Sequence, residues 1–209
     1  MNTPPADILQ TLSLTLGVGW ASGINLYAAT LMLGYLGMTG AIHLPPGLEI
    51  LTNPLVVGAS GLMYCVEFFA DKIPGVDNSW DALHTFVRIP AGALLAAGAA
   101  TGLGMGSPGE FVAFLLGGGL ATGSHAAKAG SRVLINGSLA IVTGWAVSIG
   151  EDLTVLGGLW MALQNPWFFL AALTLFVLLL VWLLPRLWRG IKTVFGWLFG
   201  RRSPGASAQ

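Results

Sequence analysis

Three basic residues interrupt a segment that is otherwise made of glycine, alanine and serine. In GSHAAKAGSR (residues 123–132), His125, Lys128 and Arg132 lie three and four residues apart, a spacing that places side chains on one face of a helix. An ionisable group inside an apolar helix costs roughly 2.5–3.5 kcal/mol on membrane-insertion scales, so it usually faces a bundle interior and pairs there. We expect Arg132 to reach the membrane surface. The deeper His125 and Lys128 are expected to form the positive half of an internal site.

Carboxylates in two other apolar segments supply candidates for the negative half. Glu67 and Asp71 are four residues apart in one segment, and Glu151 and Asp152 are neighbours in another. Neighbouring helix residues point about 100° apart, so at most one of Glu151 and Asp152 can face a given partner directly. We therefore expect Glu67 and one of these two to pair with the basic residues of 123–132.

Two further groups of polar residues share a helical face. Ser22 and Asn25, three residues apart, predict hydrogen bonds between helices or a neutral part of a binding site. The segment VDNSWDALHTFVR (76–88) repeats polar side chains every three or four residues, at Asp77, Asp81, His84 or Thr85, and Arg88. This spacing predicts an interfacial ion-pair network or a set of acid/base and phosphate-binding groups. The candidate substrate-binding or coupling residues are therefore Ser22, Asn25, Glu67, Asp71, Asp81, His84, Arg88, His125, Lys128, Glu151 and Asp152.

Motifs of the common enzyme classes are missing from the sequence. It contains no GxSxG elbow, P-loop, HExxH or CxxC. The run GLGMGSPG (102–109) has a GxGxG pattern but no preceding strand, so it does not predict nucleotide binding. We expect no cofactor and no metal site, and an enzymatic activity is less favoured than a non-enzymatic one.

Composition predicts an all-α integral membrane protein. The chain is 55% hydrophobic and only 9% charged, whereas soluble domains carry roughly 25% charged residues. The nine basic and nine acidic residues cancel, so bulk charge does not suggest a nucleic-acid partner. We expect six membrane-spanning helices near residues 9–36, 54–73, 82–104, 110–134, 139–163 and 166–187.

The basic residues predict the orientation of these spans. With both termini in the cytoplasm, all nine lie in or next to cytoplasmic loops or the tail, as the positive-inside rule requires. The expected location is the bacterial inner membrane. The tail, residues 191–209, alternates basic and apolar residues before a polar end, which predicts an interfacial amphipathic helix followed by a disordered end.

The chain contains a candidate internal repeat. LGVGWASG (16–23) matches LGGGLATG (116–123) at an offset of 100 residues, and Glu67 aligns with Glu151 at an offset of 84. The pattern predicts two inverted three-helix repeats, 8–105 and 109–190, within one domain at 8–190. Inverted repeats are typical of transporters, whose substrate sites lie near the midplane on interrupted helices. We therefore expect the glycine-rich first and fourth helices to be interrupted.

Several long strings identify a resemblance to a known family. GWASGINLYA, VEFFADKIPGVDNSWDALHTFVRIPAGA, GSHAAKAGSRVLIN and EDLTVLGGLWMAL resemble a bacterial membrane family catalogued as domain of unknown function 4126. The resemblance covers about residues 8–190. It implies one six-span domain and assigns no role to any residue.

These patterns favour a small transporter, coupled to a proton or cation. Lys128 and His125 would bind a small solute or an anionic group, and Glu67 and Glu151 would carry the coupling proton or cation. The alternatives are an intramembrane enzyme acting on a lipid-linked substrate at the cytoplasmic face, and a non-catalytic scaffold. The expected partners are the lipid bilayer and the solute, with no nucleic acid, and a bundle this small is compatible with a homodimer.

Overall fold

A computed structural model describes residues 5–71, 73, 76–135 and 140–199, with side chains omitted at 5, 6, 77, 78, 132–135, 140–144 and 184–199. Most of these residues are helical, and short loops join the helices. No strand occurs in these ranges. Short 3-10 helices cover Pro46–Thr52 and Thr101–Leu103. The α-helices are α1 (Pro5–Met38), α2 (Pro54–Ala70), α3 (Val76–Ala100), α4 (Gly106–Ile135), α5 (Ala140–Gln164) and α6 (Pro166–Phe199).

Several of these helices are long and apolar enough to cross a membrane. Within the described residues, four segments qualify by length and composition: Asp7–Met38, Ser79–Leu103, Trp145–Gln164 and Pro166–Leu183. A fifth is formed if Pro46–Thr52 and Pro54–Ala70, bent by 71° at their junction, are counted together. The chain is therefore compatible with a multi-pass membrane protein.

Asparagine–proline pairs begin two of the helices. Asn53 caps α2, its side chain accepting a hydrogen bond from Leu55 N at 2.9 Å, and Pro54 follows at the first helical position. Pro166 begins α6 directly after Asn165, whose backbone carbonyl accepts a hydrogen bond from Phe169 N at 3.1 Å. Proline suits this position because its fixed φ fits the helix and its missing N–H would have had no partner. These starts agree with the boundaries that the sequence predicts.

Helix α1 is broken at Asn25, which has φ −147° and ψ 98°. Its two ends lie close together: a Cβ built on Gly102 would be 3.1 Å from Thr11 and 3.3 Å from Pro45. A Cβ built on Gly37 would lie 2.9 Å from the Leu44 side chain. A straight helix would separate residues 11 and 37 by about 40 Å. The chain therefore turns back at Asn25, and α1 is a helical hairpin with both ends on one side of the bundle.

The open end of this hairpin borders a cleft of about 280 Å³. Its lining combines the start of α1, the loop after α1 and the end of α5: Gln10, Thr11, Leu14, Ala41, Ile42, His43, Pro45, Leu163 and Gln164. Gln10 Nε2 donates to the Leu163 carbonyl at 2.8 Å. The structure thus differs from the single crossing expected for residues 9–36.

Glycines allow α1, α3 and α4 to approach closely. A Cβ on Gly19 would lie 2.6 Å from Gly117 Cα, and one on Gly92 would lie 2.8 Å from Ala121 Cβ. Small residues at helix contacts have this effect in membrane bundles. Unlike α1, α4 is helical throughout Gly106–Ile135, so the predicted interruption of the fourth helix is wrong. Its glycines serve close packing there.

The first half of α1 runs parallel to α4. Gly19 lies against Gly117, and further along both helices Ser124 Oγ donates to the Trp20 carbonyl at 2.7 Å. An inverted repeat would make these two aligned segments antiparallel. The pair therefore differs from the inverted arrangement that the sequence suggested.

The chain forms two compact units, Met1–Ala171 and Ala172–Gln209. The first contains α1–α5 and the start of α6. The second contains the rest of α6. All the contacts described below lie within the first unit.

Candidate functional site: a buried charged cluster

Six ionisable side chains from four helices meet in the interior of the first unit. We call this set the charged cluster: Glu67, Asp71, Asp81, Arg88, Lys128 and Glu151. Glu67 lies in α2 and Asp71 caps its end, Asp81 and Arg88 lie in α3, Lys128 in α4 and Glu151 in α5. The side chains range from 0% to 13% exposed. Water therefore contributes little to their stabilisation, and the two cations and four carboxylates must stabilise one another.

Arg88 joins two carboxylates by short bonds. Its Nη2 lies 2.7 Å from Glu67 Oε1, and its Nη1 lies 2.8 Å from Asp81 Oδ1. Hydrogen bonds between charged groups at these distances are roughly twice as strong as neutral ones. A guanidinium also stays charged in a protein. Arg88 is thus a fixed positive charge that ties α3 to α2.

Lys128 has longer contacts to more partners. Its Nζ donates to the Ile24 carbonyl at 3.0 Å and to Asp71 Oδ2 at 3.2 Å. Three further carboxylate oxygens lie at 3.4–3.6 Å, from Glu151, Glu67 and Asp81. An ammonium group has only three N–H donors. The Lys128 charge is therefore shared among more oxygen atoms than it can bond directly.

The break in α1 makes the Ile24 carbonyl available to Lys128. In a continuous helix that carbonyl would accept from Ala28 N. Here Ala28 N donates to Asn25 Oδ1 at 2.9 Å. The Asn25 side chain thus takes the place of the Ile24 carbonyl within α1, and a main-chain oxygen at the hairpin tip is freed for the charged cluster.

Asp152 also binds this tip. Asn25 Nδ2 donates to Asp152 Oδ1 at 2.9 Å, and Tyr64 Oη donates to Asp152 Oδ2 at 3.3 Å. Glu151, the preceding residue, points instead at Lys128. Their separate partners follow from the roughly 100° between neighbouring helix positions. Asp152 therefore links α5 to both α1 and α2.

His125 takes part as a hydrogen-bonding group. Its Nε2 lies 2.7 Å from Thr85 Oγ1, whose own proton goes to the Asp81 carbonyl at 2.9 Å. The other ring nitrogen, Nδ1, lies 3.5 Å from Arg88 Nη1. The ring thus contacts a hydroxyl and a guanidinium, whereas the sequence placed His125 in the positive half of an internal site.

Two of the predicted residues lie outside these contacts. The Ser22 hydroxyl donates to the Val18 carbonyl of its own helix at 2.6 Å. His84 bonds to the Trp80 carbonyl at 2.9 Å and stacks on the Trp80 ring, with 4.1 Å between the ring centroids. The structure thus brings together the other predicted residues, directly or through Asn25, Asp152 and His125. The side chains of Asp77 and Arg132 lie outside the described part of the chain.

Sequence reasoning missed Tyr64 and the Ile24 carbonyl. Tyr64 lies three residues before Glu67 and seven before Asp71, so helical spacing could have placed it on their face of α2. Of the pair His84 or Thr85, the structure selects Thr85 as the contact to His125. The Ile24 carbonyl gave no signal because any residue type could have supplied it.

Each of the two fully buried side chains of the cluster has one polar atom without a hydrogen-bond partner among the described residues. These atoms are Glu67 Oε2 and Arg88 Nε. Leaving a buried polar atom unpaired costs about 1–3 kcal/mol. With Lys128 Nζ among the carboxylates of the cluster, no group of three or more His, Cys, Asp or Glu side chains in the same part of the chain is arranged to hold a metal ion.

The sequence of the chain matches a known family. A sequence model of the family described as Domain of unknown function (DUF4126) matches residues 12–186. The chain belongs to the DUF4126 family. The matched range contains the α1 hairpin tip and every member of the charged cluster, so both lie within the family domain. For this DUF4126 chain, neither the curated proteins nor the solved structures give a match.

Proposed function

We propose that this DUF4126 chain is a small inner-membrane transporter coupled to a proton or a cation, with the charged cluster as its coupling site. The observation that carries the proposal is the position of Lys128. Its buried ammonium lies between four carboxylates and a main-chain carbonyl freed at the tip of a broken hairpin. Interrupted helices that bring backbone carbonyls to buried charges are a recurring feature of ion-coupled transport sites.

The physical basis is charge replacement. Removing one partner from a buried ion pair is strongly destabilising, because it leaves an uncompensated charge in a dry interior. If Lys128 moves away from the cluster, protons or another cation must take its place. Access that alternates between the two membrane faces would turn this exchange into coupled transport.

The cluster fits a positive ligand better than an anionic one. Arg88 and Lys128 are both engaged by carboxylates at 2.7–3.6 Å, so an anion would have to displace these bonds. A cation would instead add to oxygens that already face inward. Of the ligand classes suggested by the sequence, the geometry therefore favours the coupling proton or cation.

Our proposed topology changes the sequence-based one at α1. The hairpin would enter and leave the membrane on one side, with α2–α6 as the crossing helices. Because the basic residues lie at the other ends of these helices, the positive-inside rule would put the start of α1 outside and the tail inside. The tail, residues 191–209, would begin as an amphipathic helix on the inner surface.

The inverted-repeat plan stays a prediction. In its favour, the aligned residues Glu67 and Glu151 both approach Lys128 Nζ, at 3.6 and 3.4 Å. Against it, the first half of α1 runs parallel to α4. A repeat confined to α2 and α5 would satisfy both observations.

A second candidate function is a non-catalytic membrane scaffold. The observation that favours it is the direct pairing of the cluster's cations: Arg88 and Lys128 already contact carboxylates from three helices. In that case the ion pairs would only fix the helices relative to one another, and no ligand would exchange with them.

The two functions are separated by uptake into proteoliposomes. Wild type, Lys128→Ala and Thr122→Ala, an exposed control on the same helix, are reconstituted and screened with labelled small ions and solutes under an imposed pH gradient. A transporter gives uptake that Lys128→Ala abolishes and Thr122→Ala retains. Absence of any gradient-dependent uptake by folded wild type would favour the scaffold.

A further inference from the structure

The oxygen atoms around Lys128 Nζ form a larger set than a lysine requires. In the described part of the chain, five oxygen atoms lie within 3.6 Å of Nζ. One is the Ile24 carbonyl of α1, and the others belong to the carboxylates of Glu67 in α2, Asp71 at the end of α2, Asp81 in α3 and Glu151 in α5. Only two of them accept a hydrogen bond from the ammonium. A spherical cation has no donor directions to satisfy, so it could interact with all of these oxygens at once.

A second observation points independently to a ligand at this position. Glu67 Oε1 is shared by Arg88 and Lys128, whereas Glu67 Oε2 is fully buried and has no hydrogen-bond partner among the described residues. A desolvated carboxylate oxygen without a partner is costly. A cation that bound both oxygens of Glu67 would satisfy this atom, which the lysine does not reach.

The donor set indicates the class of cation. Carboxylate and carbonyl oxygens are hard ligands, which suit alkali and alkaline-earth ions. Magnesium requires octahedral ligands at about 2.0–2.1 Å and calcium requires six to eight oxygens at about 2.3–2.6 Å. The oxygens around Nζ lie at 3.0–3.6 Å. Their spacing is set by an ammonium group and favours a large, singly charged ion.

The site does not depend on the lysine for its main-chain ligand. Asn25 Oδ1 binds Ala28 N, and Asp152 holds Asn25 in turn. The Ile24 carbonyl therefore stays free of its helix whether or not Lys128 is present. Lysine also carries its charge on a flexible four-carbon stem, so its ammonium can withdraw without movement of the helices.

From these observations we propose that Lys128 and an alkali cation compete for one site, formed by the Ile24 carbonyl and the carboxylates of Glu67, Asp71, Asp81 and Glu151. Lysine fills this site in the conformation described here. The cation enters when the ammonium withdraws. The inference deepens the proposed function, since it rests on that function for its role and names the coupling ion as an alkali metal cation.

The test is cation-dependent unfolding of the purified full-length protein in detergent. Wild type and Lys128→Ala are melted in sodium, potassium or rubidium chloride and in choline chloride at equal ionic strength. Removing the lysine leaves the oxygens to the salt cation. We expect the melting temperature of Lys128→Ala to rise by about 3 °C or more in at least one alkali salt relative to choline, because a ligand stabilises the state that binds it. Wild type should show a smaller rise.

Matched variants locate the effect. In the Lys128→Ala background, Glu67→Gln should abolish the alkali-specific rise, and Glu49→Gln, which changes an exposed carboxylate, should retain it. If Lys128→Ala does not fold, Lys128→Gln replaces it, since its amide can still donate to the Ile24 carbonyl. Direct binding of radioactive rubidium to that variant, lost with Glu67→Gln, would then support the proposal. Equal melting in alkali and choline salts, with no rubidium bound, would overturn it.

The outcome is independent of the transport experiment. Alkali-specific binding without uptake into proteoliposomes would retain the site and remove the transporter function. Gradient-driven uptake by a protein that binds no alkali cation would retain the transporter function and remove this site.

Discussion

Arg88 and Lys128 occupy the same cluster but make different kinds of contact. Arg88 has two contacts of 2.7 and 2.8 Å, each to a separate carboxylate. Lys128 has several contacts between 3.0 and 3.6 Å, no one of which dominates. At the residue scale, we assign Arg88 to holding the helices together and Lys128 to exchange.

Arg88→Ala tests the structural half of this assignment. The substitution leaves Glu67 and Asp81 without their closest cation in a dry interior, so we expect the free energy of unfolding to fall by about 3–5 kcal/mol. Chemical unfolding in detergent measures this change, with Thr122→Ala as the control. Because the guanidinium does not exchange, alkali salts should not restore the lost stability. An Arg88→Ala protein as stable as wild type would contradict the assignment.

Much of the charged cluster could be predicted from residue spacing. Glu67 and Asp71 share a face of α2, and the separation of Glu151 from Asp152 follows from helical geometry. Spacing could not reveal that His125 Nε2 contacts Thr85 Oγ1, because that contact depends on how α3 and α4 pack together. Nor could spacing decide between an anionic and a cationic ligand. Arg88 and Lys128 could pair either with carboxylates of the protein or with an anionic substrate.

At the scale of elements, the break in α1 is the feature on which the site depends. The glycine-rich sequences of α1 and α4 predicted an interruption in each helix. Of these two helices, only α1 is broken. Glycine lowers helix stability and also permits close packing, so glycines alone do not distinguish the two outcomes. The deciding residue is Asn25, whose side chain can accept from Ala28 N, whereas the aligned position in α4 is His125.

Asn25→Ala tests the hairpin tip. Ala28 N loses its side-chain acceptor and Asp152 loses a donor, so we expect a fall in the free energy of unfolding of about 1–3 kcal/mol. Hydrogen exchange of residues 24–28, followed by mass spectrometry, should change with it. Thr30→Ala serves as the control, because in the described part of the chain the Thr30 hydroxyl donates to the Leu26 and Tyr27 carbonyls of its own helix. Equal effects of the two substitutions would argue against a special role for the tip.

At the scale of the whole molecule, composition and proline positions predicted an all-helical membrane chain and most helix ends. They could not show that α1 turns back, because a hairpin and a single crossing have the same apolar composition. The clue lies in contacts distant in sequence, such as Gln10 with Leu163 and Thr11 beside Pro45. A topology derived from hydropathy and charge alone therefore placed the start of α1 in the cytoplasm. We now propose that it lies on the outer side of the membrane.

Cysteine labelling distinguishes these topologies. In a Cys65→Ser background, Asp7→Cys, Thr39→Cys and Ser79→Cys are exposed to a membrane-impermeant maleimide in intact cells. The hairpin predicts labelling of positions 7 and 39 from the outside and protection of position 79 until the cells are opened. Labelling of 7 and 39 from opposite sides would instead show that α1 crosses the membrane.

The most direct test of the central claim is proton flux driven by an alkali-cation gradient. Proteoliposomes loaded with a pH-sensitive dye receive a sodium or potassium gradient, with the membrane potential clamped. Wild type and Glu49→Gln should show a gradient-dependent change of internal pH, and Glu67→Gln and Lys128→Ala should reduce its rate at least about tenfold, because each removes a charge whose replacement drives the exchange. Equal flux through all four proteins would contradict the assignment of coupling to the charged cluster.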